Sequence, residues 1–156
     1  MSYRKITCFK AYDVRGQVSI NIDEDIVYRI SKAIAQLLNC KKVIIGFDSR
    51  KTSKAFSKAA SNAFLDSGTD VLMIGLAGSE EMYWAVSEFS ACAGIEITAS
   101  HNPIDYNGMK IVKTGSCPLS EAEFLHVRSI AEKGNWYDNR NKKGHLIDIS
   151  KNARKK

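Results

Sequence analysis

Residues 43–75 read VIIGFDSRKTSKAFSKAASNAFLDSGTDVLMIG, and their pattern decides the fold. The run 43–46 is apolar and β-branched and ends at a glycine, which predicts a short buried strand. Residues 52–67 then place their apolar side chains at a helical period and also stop at a glycine. A second apolar run ending at a glycine, 71–75, follows. The stretch therefore predicts a strand, a helix and a second strand in succession.

The same alternation continues on both sides of this unit. Ser79 is predicted to cap one further helix, and Ser120 with Glu123 forms a capping box that opens another. Strands and helices spaced in this way predict an α/β domain with helices on both faces of its sheet. The other predicted helices and strands cover residues 24–39, 79–89, 120–134, 6–12, 94–98, 108–112 and 146–149.

Length and composition are those of one globular domain. A chain of 156 residues can bury a single core, and its 44% apolar and 26% charged residues are typical of soluble proteins. No run approaches the roughly 18 consecutive apolar residues of a membrane span. Residues 1–8 lack the apolar core of a signal peptide. We therefore expect a cytoplasmic protein that is not associated with a membrane.

The four cysteines are far apart in the sequence and form no C-x-x-C pair. Zinc sites and redox motifs usually need two thiols within one turn of chain, so we expect neither. We expect reduced, buried or partly buried thiols at Cys8, Cys40, Cys92 and Cys117.

The net charge of +6 comes from the end of the chain. Residues 140–156 contain seven basic side chains and one acidic side chain, so residues 1–139 balance to zero. A basic tail can bind nucleic acid, but the last eleven residues contain no aromatic side chain. We therefore expect a folded domain over 1–139, a solvated basic tail or linker over 140–156, and no nucleic-acid partner.

Polar loops lie where the predicted strands end. In α/β sheets, ligands bind outside the carboxyl ends of the strands. One hydroxyl, one imidazole, two arginines and a lysine could meet there, which suits an anionic phosphoryl group. Each has another explanation on its own: Ser100 could be solvated, and Arg15 could simply pair with Asp13. The loops are 12–16 (YDVRG), 46–50 (GFDSR), 98–103 (TASHNP) and the segment before 108–110 (GMK).

The string Thr98-Ala99-Ser100-His101-Asn102-Pro103 resembles the active-site serine signature of the phosphohexomutase superfamily, the phosphoglucomutases and phosphomannomutases. Residues 106–110 (YNGMK) are similar to the N-G-x-K that follows it in the family. Residues 9–16 (FKAYDVRG) resemble the family's F-x-x-Y-D-x-R-G, and residues 46–50 its G-x-D-x-R. The four motifs occur in the family's order, and the resemblance covers nearly all of residues 3–150.

The resemblance implies a fold and a subtype. The fold is the first of the family's four domains, a three-layer α/β/α sandwich with a mixed, mostly parallel sheet. Residues 78–83 and 95–110 look most like bacterial phosphomannomutases, which supply mannose 1-phosphate for GDP-mannose synthesis.

The resemblance also implies a reaction, the interconversion of hexose 6-phosphate and hexose 1-phosphate, with mannose or glucose as the sugar. A phosphoserine at Ser100 gives its phosphoryl group to the sugar, and the bisphosphorylated intermediate turns round and returns its other phosphate. A phosphoserine needs in-line positioning and charge neutralisation more than a strong base. The expected catalytic residues are Ser100, His101, Lys110 and Arg15.

Each of the other motif residues has an expected role. Lys110 and Arg15 neutralise phosphate charge, one as a point charge and one as a planar fork. Either Lys110 or His101 handles the proton of the sugar hydroxyl, which for lysine requires a lowered pKa. Tyr12 and Asn102 are expected to join Arg15 and Lys110 in binding phosphate or substrate. The expected supporting residues are Asp13, which orients Arg15, and Asp48 and Arg50, which hold the serine loop.

The family's cofactor is Mg²⁺, which the resemblance places between the phosphate on Ser100 and aspartates of the second domain. This chain has no D-x-D-x-D string, and residues 137–140 (YDNR) are a poor substitute. The sugar-recognition loop and the final phosphate-binding domain are also absent. We therefore expect an incomplete enzyme (a truncated gene, a split protein or an excised domain) whose missing domains, reached through 140–156, would be its partner.

Two other functions are open. The chain could be a non-catalytic module, derived from a mutase, that binds a phosphate ligand or a partner with the old loop. A serine hydrolase is disfavoured because the sequence lacks G-x-S-x-G.

Overall fold

The computed structural model describes residues 2–136 and 142–151. Strands and helices alternate over most of this length, as the sequence predicts. One 3-10 turn, Thr114–Ser116, lies between the strands Tyr106–Lys113 and Cys117–Pro118. The elements in chain order are β1 Val14–Gln17, α1 Glu24–Leu38, β2 Lys42–Phe47, α2 Ser53–Asp66, β3 Asp70–Leu76, α3 Ser79–Glu88, β4 Ala93–Ile97, β5 Tyr106–Lys113, β6 Cys117–Pro118, α4 Glu121–Lys133 and β7 Leu146–Asp148.

The strands form one mixed sheet in the order β1-β5-β4-β2-β3-β7, with β6 paired to β5. The pairs β4–β2, β2–β3 and β3–β7 are parallel, whereas β5 runs antiparallel to β1, β4 and β6. The short apolar runs occupy the centre, because strands covered on both faces need no polar alternation. The predicted α/β fold with a mixed sheet is confirmed.

Helices cover both faces of this sheet. Val43 and Ile45 of β2 belong to the apolar cluster that contains α1, α2 and α4. Ile44 points to the opposite face and packs in a second cluster with Met82 and Val86 of α3. This separation follows from the two-residue period of a strand. The two clusters make the three layers of an α/β/α sandwich.

Of the two predicted N-terminal helix caps, the structure confirms one and corrects the other. The Ser120 hydroxyl accepts from the Glu123 amide at 3.1 Å, and the Ser120 amide donates to the Glu123 carboxylate at 2.8 Å, as predicted. Ser79 is not the cap of α3, however, because Gly78 takes that position. The Glu81 carboxylate reaches back to the Gly78 amide at 3.0 Å, which lets the helix start one residue earlier than expected.

The predicted strand over residues 6–12 is wrong. Ile6 and Cys8 are fully buried, which produces the alternation, but the first strand is Val14–Gln17. The segment meets β1 through one isolated antiparallel bridge, Phe9 with Val14, and its Ile6 amide donates to the Glu132 side chain of α4 at 2.9 Å. Burial against a helix therefore gave the same pattern as pairing in a sheet.

The expectation of four reduced thiols is wrong for one pair. Cys40 and Cys92 form a disulfide with their Cα atoms 5.6 Å apart, across 52 residues of sequence. They precede β2 and β4, which are parallel neighbours, so the fold brings their starts together. Cys8 is free and buried, and burial raises the pKa of its thiol to about 11. Cys117 is free but exposed, so the expectation that its thiol would be at least partly buried is also wrong.

Strand β7 lies within the segment 140–156 that the sequence suggests as a tail. Leu146, Ile147 and Asp148 pair with β3, so three residues of that segment belong to the sheet. Residues 137–140, and the basic residues from 152 onward, are outside the described residues. None of the helices in the described ranges is long and apolar enough to cross a membrane.

Candidate functional site

The predicted site residues lie on neighbouring elements at one end of the sheet. The loop that carries Ser100 follows β4, and the loop that carries Asp48 and Arg50 follows β2, the parallel neighbour of β4. Arg15 of β1 pairs with Gly108 of β5, and the Thr98 amide donates to the Gly108 carbonyl at 3.0 Å. The topology therefore brings the other three sequence motifs, at 9–16, 46–50 and 106–110, next to the loop that contains Ser100.

Ser100 lies exposed at the start of its loop in an unusual backbone conformation. Its φ is +54°, in the left-handed region that residues other than glycine rarely occupy. Its amide donates to the Thr98 hydroxyl at 2.9 Å, while Thr98 and Ala99 are buried. Conformations of this kind persist only where the surroundings impose them. The serine is thus presented to solvent by a fixed backbone.

Arg50 is the contact that fixes this loop. Its guanidinium donates to the carbonyls of Ser100 and Asn102 at 2.9 and 2.7 Å and to those of Pro103 and Tyr106 at 2.7 and 3.0 Å. The planar fork of arginine can reach several acceptors at once, which a lysine cannot do. One side chain therefore holds the whole turn that follows the serine.

Asp48 in turn orients Arg50. Its carboxylate lies 3.5 Å from the Arg50 Nε and accepts from the Arg50 amide at 3.0 Å. It also accepts from the Ser53 hydroxyl at the start of α2. These contacts place Asp48 and Arg50 where a support for the serine loop would lie.

Asn107 joins the serine loop to α2, and sequence reasoning did not single it out. It is fully buried, and its side-chain amide donates to the hydroxyls of Thr52 and Ser53 at 2.8 and 3.0 Å. Its side-chain oxygen accepts from the Gly108 amide at 2.9 Å. The sequence could have indicated Asn107, because it is the first residue of the N-G-x-K motif. Its partners, Thr52 and Ser53, belong to no motif and could not be predicted.

Arg15 lies beside the serine loop. Its Nε is 3.1 Å from the Asp13 carboxylate, and its Nη1 donates to the Asn102 side chain at 3.2 Å. The Arg15 side chain is 39% exposed. Asp13 therefore orients the guanidinium toward the loop, and part of it stays open to an anion.

Three other predicted site residues, Tyr12, His101 and Lys110, do not take part in the contacts that hold the serine loop. Tyr12 is 82% exposed and lines a cleft of about 300 Å³ together with Phe124 and Leu125 of α4. His101 is exposed beside Ser100. Lys110 lies on β5 opposite Glu96 of β4, and its ammonium group donates no hydrogen bond to the described residues.

Glu96 is a buried acid that sequence reasoning did not single out. It is 1% exposed, and neither carboxyl oxygen has a hydrogen-bond partner among the described residues. Burial raises its pKa to about 8, with a further increase from Asp48 and Glu81 and an opposing effect of Lys110. The sequence offers one indication of this residue: Glu96 is the one charged side chain in an otherwise apolar strand, Ala93–Ile97.

We expect the raised pKa of Glu96 to make the protein less stable as pH rises. Between the ordinary pKa of about 4.5 and the folded value of about 8, the folded chain holds a proton that the unfolded chain releases. The free energy of unfolding should therefore fall by about 4 kcal/mol between pH 5 and pH 9. Urea unfolding at pH 5 and pH 9 measures this, and the fall should be absent in Glu96→Gln. An equal fall in both proteins would contradict the assignment.

The described residues do not make a complete site for Mg²⁺. None of the histidines, cysteines, aspartates and glutamates in residues 2–136 and 142–151 gather in a group of three or more that could hold a metal ion. Magnesium prefers near-octahedral oxygen coordination, so most of its ligands would have to come from elsewhere.

The geometry has counterparts among known proteins. Residues 7–138 match the family model described as phosphoglucomutase/phosphomannomutase, alpha/beta/alpha domain I. The chain is 43% identical over 141 residues to a phosphomannomutase of Vibrio cholerae, which covers 86% of this chain and 30% of that protein. It is 43% identical over 133 residues to a phosphomannomutase of Klebsiella pneumoniae, with 85% of each chain covered.

Solved structures share the fold. A phosphoglucomutase/phosphomannomutase family protein of Burkholderia thailandensis superimposes with a TM-score of 0.80 at 24% identity, over 92% of this chain and 33% of that one. This chain thus spans about a third of the length of most of these relatives. The family model covers every element from β1 to α4, together with the serine loop and the side chains that hold it. The chain accordingly belongs to the phosphoglucomutase/phosphomannomutase family and corresponds to its domain I.

Proposed function

We propose that this chain is the phosphoserine domain of a hexose-phosphate mutase of the phosphomannomutase type. The observation that carries the proposal is the serine loop: Ser100 is exposed, Arg50 fixes the loop backbone, and Arg15 lies alongside. An exposed hydroxyl on an immobilised turn beside a partly open guanidinium suits in-line phosphoryl transfer. The proposed substrates are hexose phosphates, of mannose or of glucose, in the cytoplasmic route to GDP-mannose.

The proposed reaction moves a phosphoryl group between the serine and the sugar. A sugar hydroxyl oxygen attacks the phosphorus on Ser100, the bond from phosphorus to the serine oxygen breaks, and a bisphosphorylated sugar forms. The hydroxyl proton passes to Lys110 or His101, and the departing serine oxygen takes up a proton to become the free hydroxyl. After the sugar turns round, its other phosphate returns to Ser100 by the reverse step. Arg15 and Lys110 neutralise charge that the transferring group spreads over its oxygens.

The cofactor and the partner are part of this proposal. Mg²⁺ would contact the phosphate on Ser100, and its remaining ligands would come from outside the described residues. Mutase domains on a separate chain would supply those ligands together with the residues that recognise the sugar. Tyr12, which is exposed, is proposed as a contact for substrate or for such a domain.

A non-catalytic phosphate-binding module is the second candidate. It is favoured by the exposure of Ser100 and His101 to solvent. Water excluded from the site strengthens the electrostatic effects on which phosphoryl transfer depends. Such a module would bind phosphate and would not acquire it covalently.

Phosphorylation separates the two candidates. Incubation with glucose 1,6-bisphosphate and Mg²⁺ should add one phosphoryl group, measured by intact mass and located on Ser100 by fragmentation. Ser100→Ala should remove the modification completely, because no other hydroxyl occupies the loop position held by Arg50. Ser19→Ala is the matched control, since Ser19 is also an exposed serine with positive φ, at +68°. Modification retained in Ser100→Ala would overturn the proposal, whereas no modification of the native chain would favour the binding module.

A further inference from the structure

A buried carboxyl group lies directly beneath the candidate site. Glu96 is in β4, the strand that leads into the serine loop, and it is 1% exposed. Both of its carboxyl oxygens are buried without a hydrogen-bond partner among the described residues. A buried carboxylate with no donor is very unfavourable, whereas a neutral acid is much less so. The environment therefore favours the protonated form.

Residues of β2 and α3 pack closely around the Glu96 side chain and its strand. A Cβ placed on Gly46 of β2 would lie 2.8 Å from the Glu96 Oε1 and 2.9 Å from the Ile74 side chain, so a larger residue there would have to displace these side chains. The next residue on the same face of β4, Gly94, is covered by Met82 and Val86 of α3. The carboxyl group of Glu96 thus lies close to β2, and α3 covers the neighbouring residue on the same face of β4.

Three charged groups face Glu96 from the elements around it. Asp48 lies at the end of β2 and Glu81 in the first turn of α3, and both raise its pKa. Lys110 lies directly opposite on β5 and lowers it. Residues opposite each other in an antiparallel pair have Cβ atoms about 4.5–5.5 Å apart and share one face of the sheet. The ammonium group of Lys110 is therefore the cation nearest to this acid along the sheet.

We propose that Glu96 is a positioning residue for Lys110: as a neutral acid it leaves the ammonium free for an anionic phosphoryl group, and as a carboxylate it draws the ammonium inward. This inference rests on the proposed function, because it takes the ligand to be a phosphate-class anion near Ser100. The raised pKa of about 8 agrees with the neutral form at pH 7. Anion binding should then weaken as Glu96 ionises.

The protonation state of Glu96 is measured directly by carbon NMR. Its side-chain carboxyl resonance is assigned as the one missing from Glu96→Gln and is followed from pH 4 to pH 10. We expect a midpoint near pH 8. Glu80→Gln, which removes an exposed glutamate at the start of α3, should leave this midpoint unchanged. A midpoint near the ordinary value for glutamate, about 4.3, would overturn the inference.

Its effect on Lys110 is measured with sulfate, whose charge is constant between pH 7 and pH 9. Sulfate affinity, followed by shifts of the amide resonances of the serine loop, should fall about tenfold over that range in the native protein. In Glu96→Gln it should change less than about twofold, and Glu80→Gln should behave like the native protein. An equal fall in Glu96→Gln and the native protein would overturn the positioning role. Absence of sulfate binding in all three proteins would count against the proposed function, and the carboxyl titration would still decide the state of Glu96.

Discussion

Replacing Arg50 with alanine is expected to lower the free energy of unfolding by about 3 kcal/mol and to release the serine loop. Arg50 donates four hydrogen bonds to carbonyls of that loop and pairs with Asp48. Its side chain is only 13% exposed, and its bonds to Asn102 and Tyr106 are partly buried. Without it, the positive φ of Ser100 has lost its main external constraint. Phosphorylation of Ser100 should fall at least a hundredfold, because a misplaced nucleophile loses in-line geometry.

Urea unfolding measures the stability change, and hydrogen exchange at the Asn102 and Tyr106 amides reports the release of the loop. Arg50→Lys keeps the charge but not the fork, and we expect it to recover less than half of the loss. Arg128→Ala is the matched control, because Arg128 is 38% exposed and makes one long ion pair, at 3.5 Å. That control should lose less than about 1 kcal/mol. Unchanged exchange in Arg50→Ala would show that the loop is held by something else.

Replacing Gly108 with alanine is expected to destabilise the protein by more than about 3 kcal/mol, because β1 must separate from β5. A Cβ at this position would lie 1.9 Å from the Val14 carbonyl oxygen and 3.0 Å from the Arg15 Cα. Both are backbone atoms, so no side-chain rotation relieves the overlap. The displaced strand carries Arg15, whose contact with Asn102 should then be lost.

Unfolding in urea and hydrogen exchange along β1 check this result. Gly78→Ala is the control, because its Cβ would meet only the Glu81 side chain, at 4.0 Å. We expect that variant to change the free energy of unfolding by less than about 1 kcal/mol. A stability loss in Gly108→Ala that is no larger than in this control would mean that β1 adapts without leaving the sheet.

Local signals in the sequence predicted most of the elements, because their causes are local. The run 43–46 became a central strand and 52–67 a helix, since apolar period and glycine positions act within one element. Ser120 and Glu123 formed the predicted capping box for the same reason. The strand predicted over residues 6–12 was wrong, because an alternating segment can bury its apolar side chains against a helix as well as in a sheet.

The support of the serine loop could be predicted only in part. The motif strings pointed to Asp48 and Arg50, and Asp13 beside Arg15 suggested an ion pair, which the structure contains. The acceptors of Arg50 could not be predicted, because they are backbone carbonyls and every residue type offers the same group. Asn107 was named only as a letter of its motif, since its partners lie more than fifty residues away.

By itself the sequence determined the alternation of strands and helices, the capping of α4 and the four motifs that mark the family. These depend on residue types at short spacing, where chemistry and chain geometry are fixed together. The tertiary structure alone decided that Cys40 meets Cys92, that β7 joins the sheet, and that Glu96 lies buried without a partner opposite Lys110. Each of these depends on which strands become neighbours, and strand order results from packing of the whole domain and not from any one segment.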